Sequence, residues 1–174
     1  MAISDADIIP LANGEISDYS ISWRSKKYSL QRVDGIIGLT RLKGHKAVSA
    51  HDSLLKALED SEPKVRVAAL KALPEVATQK SDELFDWLSV LLDDEDLAVR
   101  QAASEALSIS APVFPSGVDI IIHNELRSFD TNRSKHAFKG LESLCEAWPE
   151  VACDHIDELF LEPDANPVSY THLR

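Results

Sequence analysis

The side chains best suited to binding a metal lie near the C-terminus, where Cys145, Cys153 and His155 fall in one short stretch. Zinc sites use thiolate and imidazole ligands in closely spaced pairs, and four of them complete a structural site. The spacing here matches no such pair, and no fourth ligand is evident. We therefore expect both cysteines to be packing residues, with no metal and no cofactor. A chain with only two cysteines also fits a reducing compartment better than a disulfide scaffold.

Carboxylates are concentrated in the run Asp93-Asp94-Glu95-Asp96, which resembles a cation site in composition. The run precedes a helical pattern, so we interpret it as a capping turn. The six histidines are scattered without the spacing of a catalytic triad. Glycine-rich phosphate loops, Gly-x-Ser-x-Gly, His-Glu-x-x-His and calcium-loop patterns are absent. We therefore predict no catalytic residue and no small-molecule substrate.

Guanidinium groups recur at a constant interval, because Arg32, Arg66 and Arg100 are each 34 residues apart. Arginine binds phosphate or carboxylate equally readily, so the side chains alone leave both interpretations open. The interval itself is informative. A fixed period of this length indicates that the chain is built from repeated structural units.

The repeat extends over four copies. Residues 65–73 (VRVAALKAL) return as residues 99–107 (VRQAASEAL), and stepping by 34 residues reaches 31–39 and 133–141. Three positions are shared in residue type: a leucine (Leu39, Leu73, Leu107, Leu141), the small residue before it (Gly38, Ala72, Ala106, Gly140) and a second small residue (Gly35, Ala69, Ala103, Ala137). At about 100° per residue these positions share one side of a helix. Small residues there let a neighbouring helix approach closely.

A second apolar helix precedes each copy and ends in an acidic turn. Residues 54–58 lead into Asp60-Ser61-Glu62-Pro63, residues 84–92 lead into the 93–96 run, and residues 120–126 hold the equivalent place in the next copy. Pro63 suits the first position of the following helix. The unit of repetition is therefore a helical hairpin. We predict four hairpins and the start of a fifth at residues 155–160.

The segments 60–73 and 93–103 resemble HEAT repeats, in particular the short HEAT-like repeats of prokaryotic proteins, with an acidic turn followed by Val-Arg and Ala-Ala. The resemblance implies an all-α, right-handed α-solenoid of antiparallel helical hairpins, armadillo-like, in which the second helices line a concave surface that holds partners. It also implies a structural ladder between arginines and turn acids, formed by Arg32, Arg66, Arg100, Asp60 and Asp94.

Helical geometry places a candidate binding stripe opposite the packing side, because Val67 and Lys71 point away from Val65 and Ala69. The equivalent positions complete the predicted partner-binding stripe: Val33, Ile37, Val67, Lys71, Gln101, Glu105, Lys135 and Lys139. In the first copy this stripe is apolar. Either residues 8–11 fold back over it as a cap, or it is a hydrophobic contact for a partner or a second copy.

Net charge restricts the partner class. The chain carries 18 basic and 29 acidic residues, a net charge of −11 and a pI near 4.9. Nucleic acid is therefore disfavoured. Residues 24–46 nevertheless hold seven basic residues and one acid, Asp34. We interpret this basic segment as a solvated end face, with a site for phosphate or an acidic partner as the alternative. The sequence shows no membrane-spanning run and no signal peptide, so we expect a cytoplasmic location.

Three regions follow from this pattern: a lead or cap segment at 1–22, the repeats at 23–166, and a tail at 167–174. The tail resembles translated read-through of a sequencing adaptor, so we expect it to be non-native and the natural protein to continue.

The favoured function is a non-enzymatic scaffold that binds another protein. The alternative is a HEAT-like enzyme or auxiliary subunit of the bilin-lyase or DNA-glycosylase kind. A glycosylase needs a basic, aromatic groove, and the predicted stripe carries no aromatic residue.

Overall fold

The computed structural model describes residues 3–17, 19–78, 81–127 and 131–161, so the predicted tail at 167–174 lies outside the described residues. The chain forms two compact units, residues 1–77 and 78–174. Unit 1 contains helix α1 (Ile8–Ala12), strands β1 (Tyr19–Trp23) and β2 (Lys26–Leu30), and helices α2 (Arg32–Gly38), α3 (Ala47–Leu58) and α4 (Pro63–Val76). Unit 2 contains α5 (Asp82–Leu91), α6 (Leu97–Ser110), α7 (Pro115–Leu126), α8 (Thr131–Ala147) and α9 (Pro149–Leu161).

Helix α1 packs directly on the backbone of α2. A β-carbon added at Gly35 would lie 2.5 Å from the amide nitrogen of Ala12, so only glycine permits this approach. Ile8 and Leu11 of α1 are fully buried in the contact. Helix α1 therefore covers the glycine side of α2. It does not cover the apolar stripe as the cap interpretation required, and the side chain of Ile37 stays 49% exposed.

A β-hairpin separates α1 from α2 and adds two short strands to the predicted all-α fold. Strands β1 and β2 pair antiparallel, with Tyr19 opposite Leu30. Arg24 and Ser25 form the turn with φ angles of 45° and 63°, the left-handed conformation that two-residue hairpin loops require. Residues 23–30, which the sequence analysis placed in the repeats, therefore lie in a hairpin. Its physical basis is the alternation of apolar and polar residues along β1 (YSISW).

The rest of unit 1 is helical. Helices α3 and α4 form a pair joined by the acidic turn at residues 59–62, and α2 packs against α4. Pro63 opens α4 at a position where its missing N–H costs no hydrogen bond. The interior contains the leucines and alanines of the repeat pattern, among them Leu54, Ala69 and Leu73, each fully buried.

Unit 2 is also built from helical pairs. Asp96 is the N-cap of helix α6, and its carboxylate accepts the backbone N–H of Ala98 at 2.8 Å. Helix α5 packs against α6, α7 against α8, and α8 against both α6 and α9. The prediction of helical pairs built on a 34-residue period is thereby confirmed. Within the described ranges, none of the helices has both the length and the apolar character needed to cross a membrane.

Candidate partner-binding surface

The repeated arginines hold the acidic turns. Arg66 Nη1 donates to the backbone carbonyls of Asp60 and Ser61, at 2.7 and 3.1 Å. The same bond recurs one repeat later, where Arg100 Nη1 donates to the carbonyl of Asp94 at 2.6 Å. The guanidinium thus satisfies carbonyls that the turn leaves without helical partners.

The first arginine of the series makes a different contact. Arg32 Nη1 forms an ion pair with Asp60 Oδ2 at 2.5 Å, and its Nε donates to the carbonyl of Ala12 at 2.9 Å. One side chain therefore ties α2 both to the acidic turn before α4 and to the C-terminal end of α1. Each of these arginines thus stabilises a turn or joins two helices, which supports a structural role.

Replacing Asp60 with alanine is expected to destabilise the protein by roughly 2 kcal/mol, because it removes two interactions made by a largely buried carboxylate. One is the ion pair with Arg32, and the other is the hydrogen bond from the backbone N–H of Glu62 at 2.8 Å. Glu59→Ala, at the exposed neighbouring position, should change the free energy of unfolding by less than about 0.5 kcal/mol. Urea unfolding of both variants measures this, and equal midpoints would contradict the structural role.

Two of the other candidate chemical groups, Asp94 and His155, also have local partners. Asp94 Oδ1 accepts the backbone N–H of Asp96 at 2.8 Å, as expected for a capping turn. His155 is buried, and its Nε2 lies 2.6 Å from Asp119 Oδ1, which joins α9 to α7. Cys145 and Cys153 are both free thiols. Within the part of the chain that the structure describes, no three His, Cys, Asp or Glu side chains are grouped closely enough to hold a metal ion.

The predicted stripe differs in exposure between positions. In unit 1, Ile37 and Lys71 are exposed, whereas Val33 and Val67 are half-buried. In unit 2, four predicted residues are exposed: Gln101, Glu105, Lys135 and Lys139. The stripe is therefore most accessible on α6 and α8.

A groove of about 590 Å³ brings two of these residues together. It lies along α8 and is closed on one side by Ile156 of α9. Its lining combines charged and apolar side chains: Lys135, Phe138, Lys139, Leu141, Glu142, Cys145, Glu146 and Ile156. The structure thus places Lys135 and Lys139 on the wall of a concave site rather than on a flat helix face.

Several lining residues were not predicted. Phe138, Glu142, Cys145 and Glu146 follow Lys135 at helical spacing, so their periodicity was the available signal. Burial raises the pKa of the Cys145 thiol, and electrostatic interaction with the neighbouring Cys153 and Glu142 adds to the rise. The thiol is thus mainly protonated at neutral pH.

Helical pairs of this kind define an α-solenoid, and comparison with known families assigns the repeats. Residues 51–121 match the family of HEAT repeats. The matched residues begin within α3 and end within α7, and they include both acidic turns and both copies of the Val-Arg pattern. No curated protein sequence matches the chain significantly.

Two engineered proteins with known crystal structures are similar in outline. One is 15% identical, with 80% of this chain and 68% of that chain covered and a TM-score of 0.41. The other is 17% identical, with 82% of this chain and 42% of that chain covered and a TM-score of 0.42. At TM-scores below 0.5, neither similarity contributes to the assignment.

Proposed function

We propose that this protein is an interaction scaffold that binds another protein on the exposed side of its second helices, without catalytic activity of its own. The observation that carries this proposal is the groove beside α8, which collects the predicted stripe residues Lys135 and Lys139 at a concave surface. HEAT repeats typically serve as such scaffolds. Arg66 and Arg100 donate to backbone carbonyls of the acidic turns, so these guanidinium groups stabilise the turns.

The chemistry of the groove favours a protein partner. Two lysines, two glutamates and apolar side chains such as Phe138 and Ile156 alternate along it. A nucleic acid would require a mainly basic surface, whereas this chain has a net charge of −11. Mixed charge around an apolar centre is typical of a polar rim surrounding a protein contact.

Charge reversal of the stripe tests this proposal. The triple variant Lys71→Glu, Lys135→Glu and Lys139→Glu is expected to lower partner capture about fivefold or more, since rim charges govern encounter and register. Its melting temperature should stay within about 2 °C of the wild type, because exposed charges contribute little to folding. The matched control is Lys56→Glu, an exposed lysine on the first helix of its pair.

Quantitative mass spectrometry of pull-downs from the native lysate provides the measurement. A specific partner should be depleted with the triple variant and retained with the control. Recovery of the same proteins in the same amounts with all three baits would refute the stripe as the binding surface.

A further inference from the structure

Strand β2 is exposed along most of its length. The side chains of residues 26–29 are all exposed, and Leu30 at the end of the strand is half-buried. A two-stranded hairpin buries little apolar surface and is marginally stable by itself. Tyr19 of β1 fastens this hairpin to unit 1, because its hydroxyl donates to Asp7 Oδ2 at 3.0 Å. One strand is therefore anchored, while the other presents its side chains to solvent.

The outer edge of β2 carries backbone groups that the hairpin does not use. A two-residue loop joins Trp23 to Lys26, and these two residues are paired. Such a closing pair exchanges hydrogen bonds across the ladder, and successive residues alternate between inward and outward backbone groups. Lys27 and Ser29 therefore direct their N–H and C=O groups away from β1. Within the described residues, β1 is the sole strand partner of β2, and no other backbone group bonds to Lys27 or Ser29.

The hairpin is basic although the chain is acidic. Residues 19–30 contain three basic residues and no acid, while the net charge of the whole chain is −11. Arg32 and Arg41, which belong to the same basic segment, are paired with carboxylates of unit 1. The side chains of Lys26 and Lys27 are instead exposed, and no carboxylate of the described residues pairs with either. Two positive charges thus lie beside the open edge of β2.

The placement of these lysines distinguishes between the ligands that a basic site attracts. Successive side chains of a strand point to opposite faces, so Lys26 and Lys27 cannot converge on a single phosphate group. A neighbouring strand has the same alternation, so two adjacent acidic residues in it meet one lysine on each face. Its backbone also bonds to the outward groups of Lys27 and Ser29. The geometry therefore matches an extended acidic chain better than a compact anion.

We propose that the open edge of β2 binds an extended acidic segment of another protein as a third strand, with two adjacent acidic residues opposite Lys26 and Lys27. Lys27 and Ser29 each supply one donor and one acceptor for backbone pairing, and the lysine side chains select for negative charge. This surface contains none of the residues of the predicted stripe or the groove, so it is a second contact beyond the function proposed above.

Three fluorescent peptides test both parts of this recognition. The first is an end-capped peptide of about nine alternating threonines and valines with two adjacent glutamates at its centre. The second has the same sequence with N-methylated amides at its central residues, and the third has lysines in place of the glutamates. The wild-type chain is expected to bind the first peptide at least about tenfold more tightly than either control, measured by fluorescence anisotropy. Equal binding of the N-methylated peptide would mean that charge alone attracts it, and the third-strand proposal would be wrong.

Two proline variants identify the edge. Ser29 of β2 and Ser20 of β1 are paired, and both are exposed, so each directs its backbone N–H to the outer edge of its own strand. Proline at either position removes that outward donor without removing a ladder bond. Ser29→Pro is expected to weaken binding of the glutamate peptide at least about tenfold, and Ser20→Pro less than about twofold. Similar losses in both variants, or none in either, would overturn the assignment to β2.

A charge variant tests the same edge without changing the backbone. The double variant Lys26→Glu and Lys27→Glu is expected to reverse the preference, so that the lysine peptide binds more tightly than the glutamate peptide. Lys56→Glu, at an exposed lysine of α3, is the matched control and should keep the wild-type preference. Circular dichroism and thermal melts establish that these variants remain folded. An unchanged preference in the double variant would contradict the role of the two lysines.

Hydrogen exchange locates the bound peptide residue by residue. At a saturating concentration of the glutamate peptide, the amides of Lys27 and Ser29 are expected to exchange at least about tenfold more slowly, because both become bonded to the new strand. The amides of Ser20 and Ser22, on the outer edge of β1, should be unchanged. Protection of the β1 amides instead would refute the proposed edge. A concentration-dependent dimer that is lost in Ser29→Pro would assign the edge to a second copy of the chain and overturn the proposal.

Discussion

Replacing Gly35 with alanine is expected to destabilise unit 1 by about 3 kcal/mol, the upper part of the range for overpacking a core. The added β-carbon would lie 2.5 Å from the backbone nitrogen of Ala12 and 2.8 Å from the carbonyl carbon of Leu11. Backbone atoms cannot rotate away, so α1 must move off α2. Alanine normally favours a helix interior over glycine by up to about 1 kcal/mol, so a net loss is diagnostic of the contact.

Gly38→Ala is the matched control, on the same helix and with the same substitution. Its added β-carbon would meet only side-chain atoms of Ile8, at 3.3 Å or more, and no backbone atom, so the free energy of unfolding should change by less than about 1 kcal/mol. Thermal melts compare the two variants, and hydrogen exchange of α1 amides should rise in Gly35→Ala alone. Equal stability of the two variants would contradict the packing of α1 on α2.

A double-mutant cycle at Leu107 and Gly140 is expected to show strong coupling. Leu107→Ala should cost about 2–5 kcal/mol, because the leucine is fully buried and its loss leaves a cavity. Gly140→Ala should cost about 1–3 kcal/mol, because its β-carbon would lie 2.9 and 3.0 Å from two carbons of Leu107. In the double variant the new methyl group enters the space that the leucine vacated. The combined loss should therefore be smaller than the sum by about 1–3 kcal/mol.

Urea unfolding of the four proteins measures this coupling. Leu97→Ala, at a leucine of α6 that is 59% exposed, is the control for the loss of a leucine side chain and should change stability by less than about 1 kcal/mol. Additive losses at Leu107 and Gly140 would mean that α8 does not lie on α6 as described.

Repetition made much of the helical part predictable. A leucine and two small residues in each copy were sufficient to locate α4 and α6, because a buried helix face must recur wherever the same packing recurs. The acidic turn likewise indicated where these helices begin. The arginines were harder to interpret, since a guanidinium bonds equally well to carboxylates and carbonyls. Arg32 pairs with the carboxylate of Asp60, while Arg66 and Arg100 also bond to turn carbonyls.

Other features could not be obtained from the repeat. The β-hairpin lies outside the 34-residue period, and five residues of alternation are a weak signal beside a strong helical pattern. Similarly, Gly35 was recognised as a packing residue, but its neighbour α1 could not be identified because α1 has no counterpart in the period. The groove depends on Ile156, which reaches α8 only through the pairing of α9 with α8. Such tertiary neighbours are set by three-dimensional packing rather than by local spacing.

The β-hairpin has a consequence for solubility. In a two-stranded sheet each strand has one edge whose backbone groups lack a strand partner, and such edges promote aggregation by pairing with other chains. Strand β2 begins with Lys26 and Lys27, both exposed, and positive charges of this kind repel an incoming strand that carries the same sequence. Lys26 and Lys27 therefore disfavour edge-to-edge pairing of β2 with another copy of the chain.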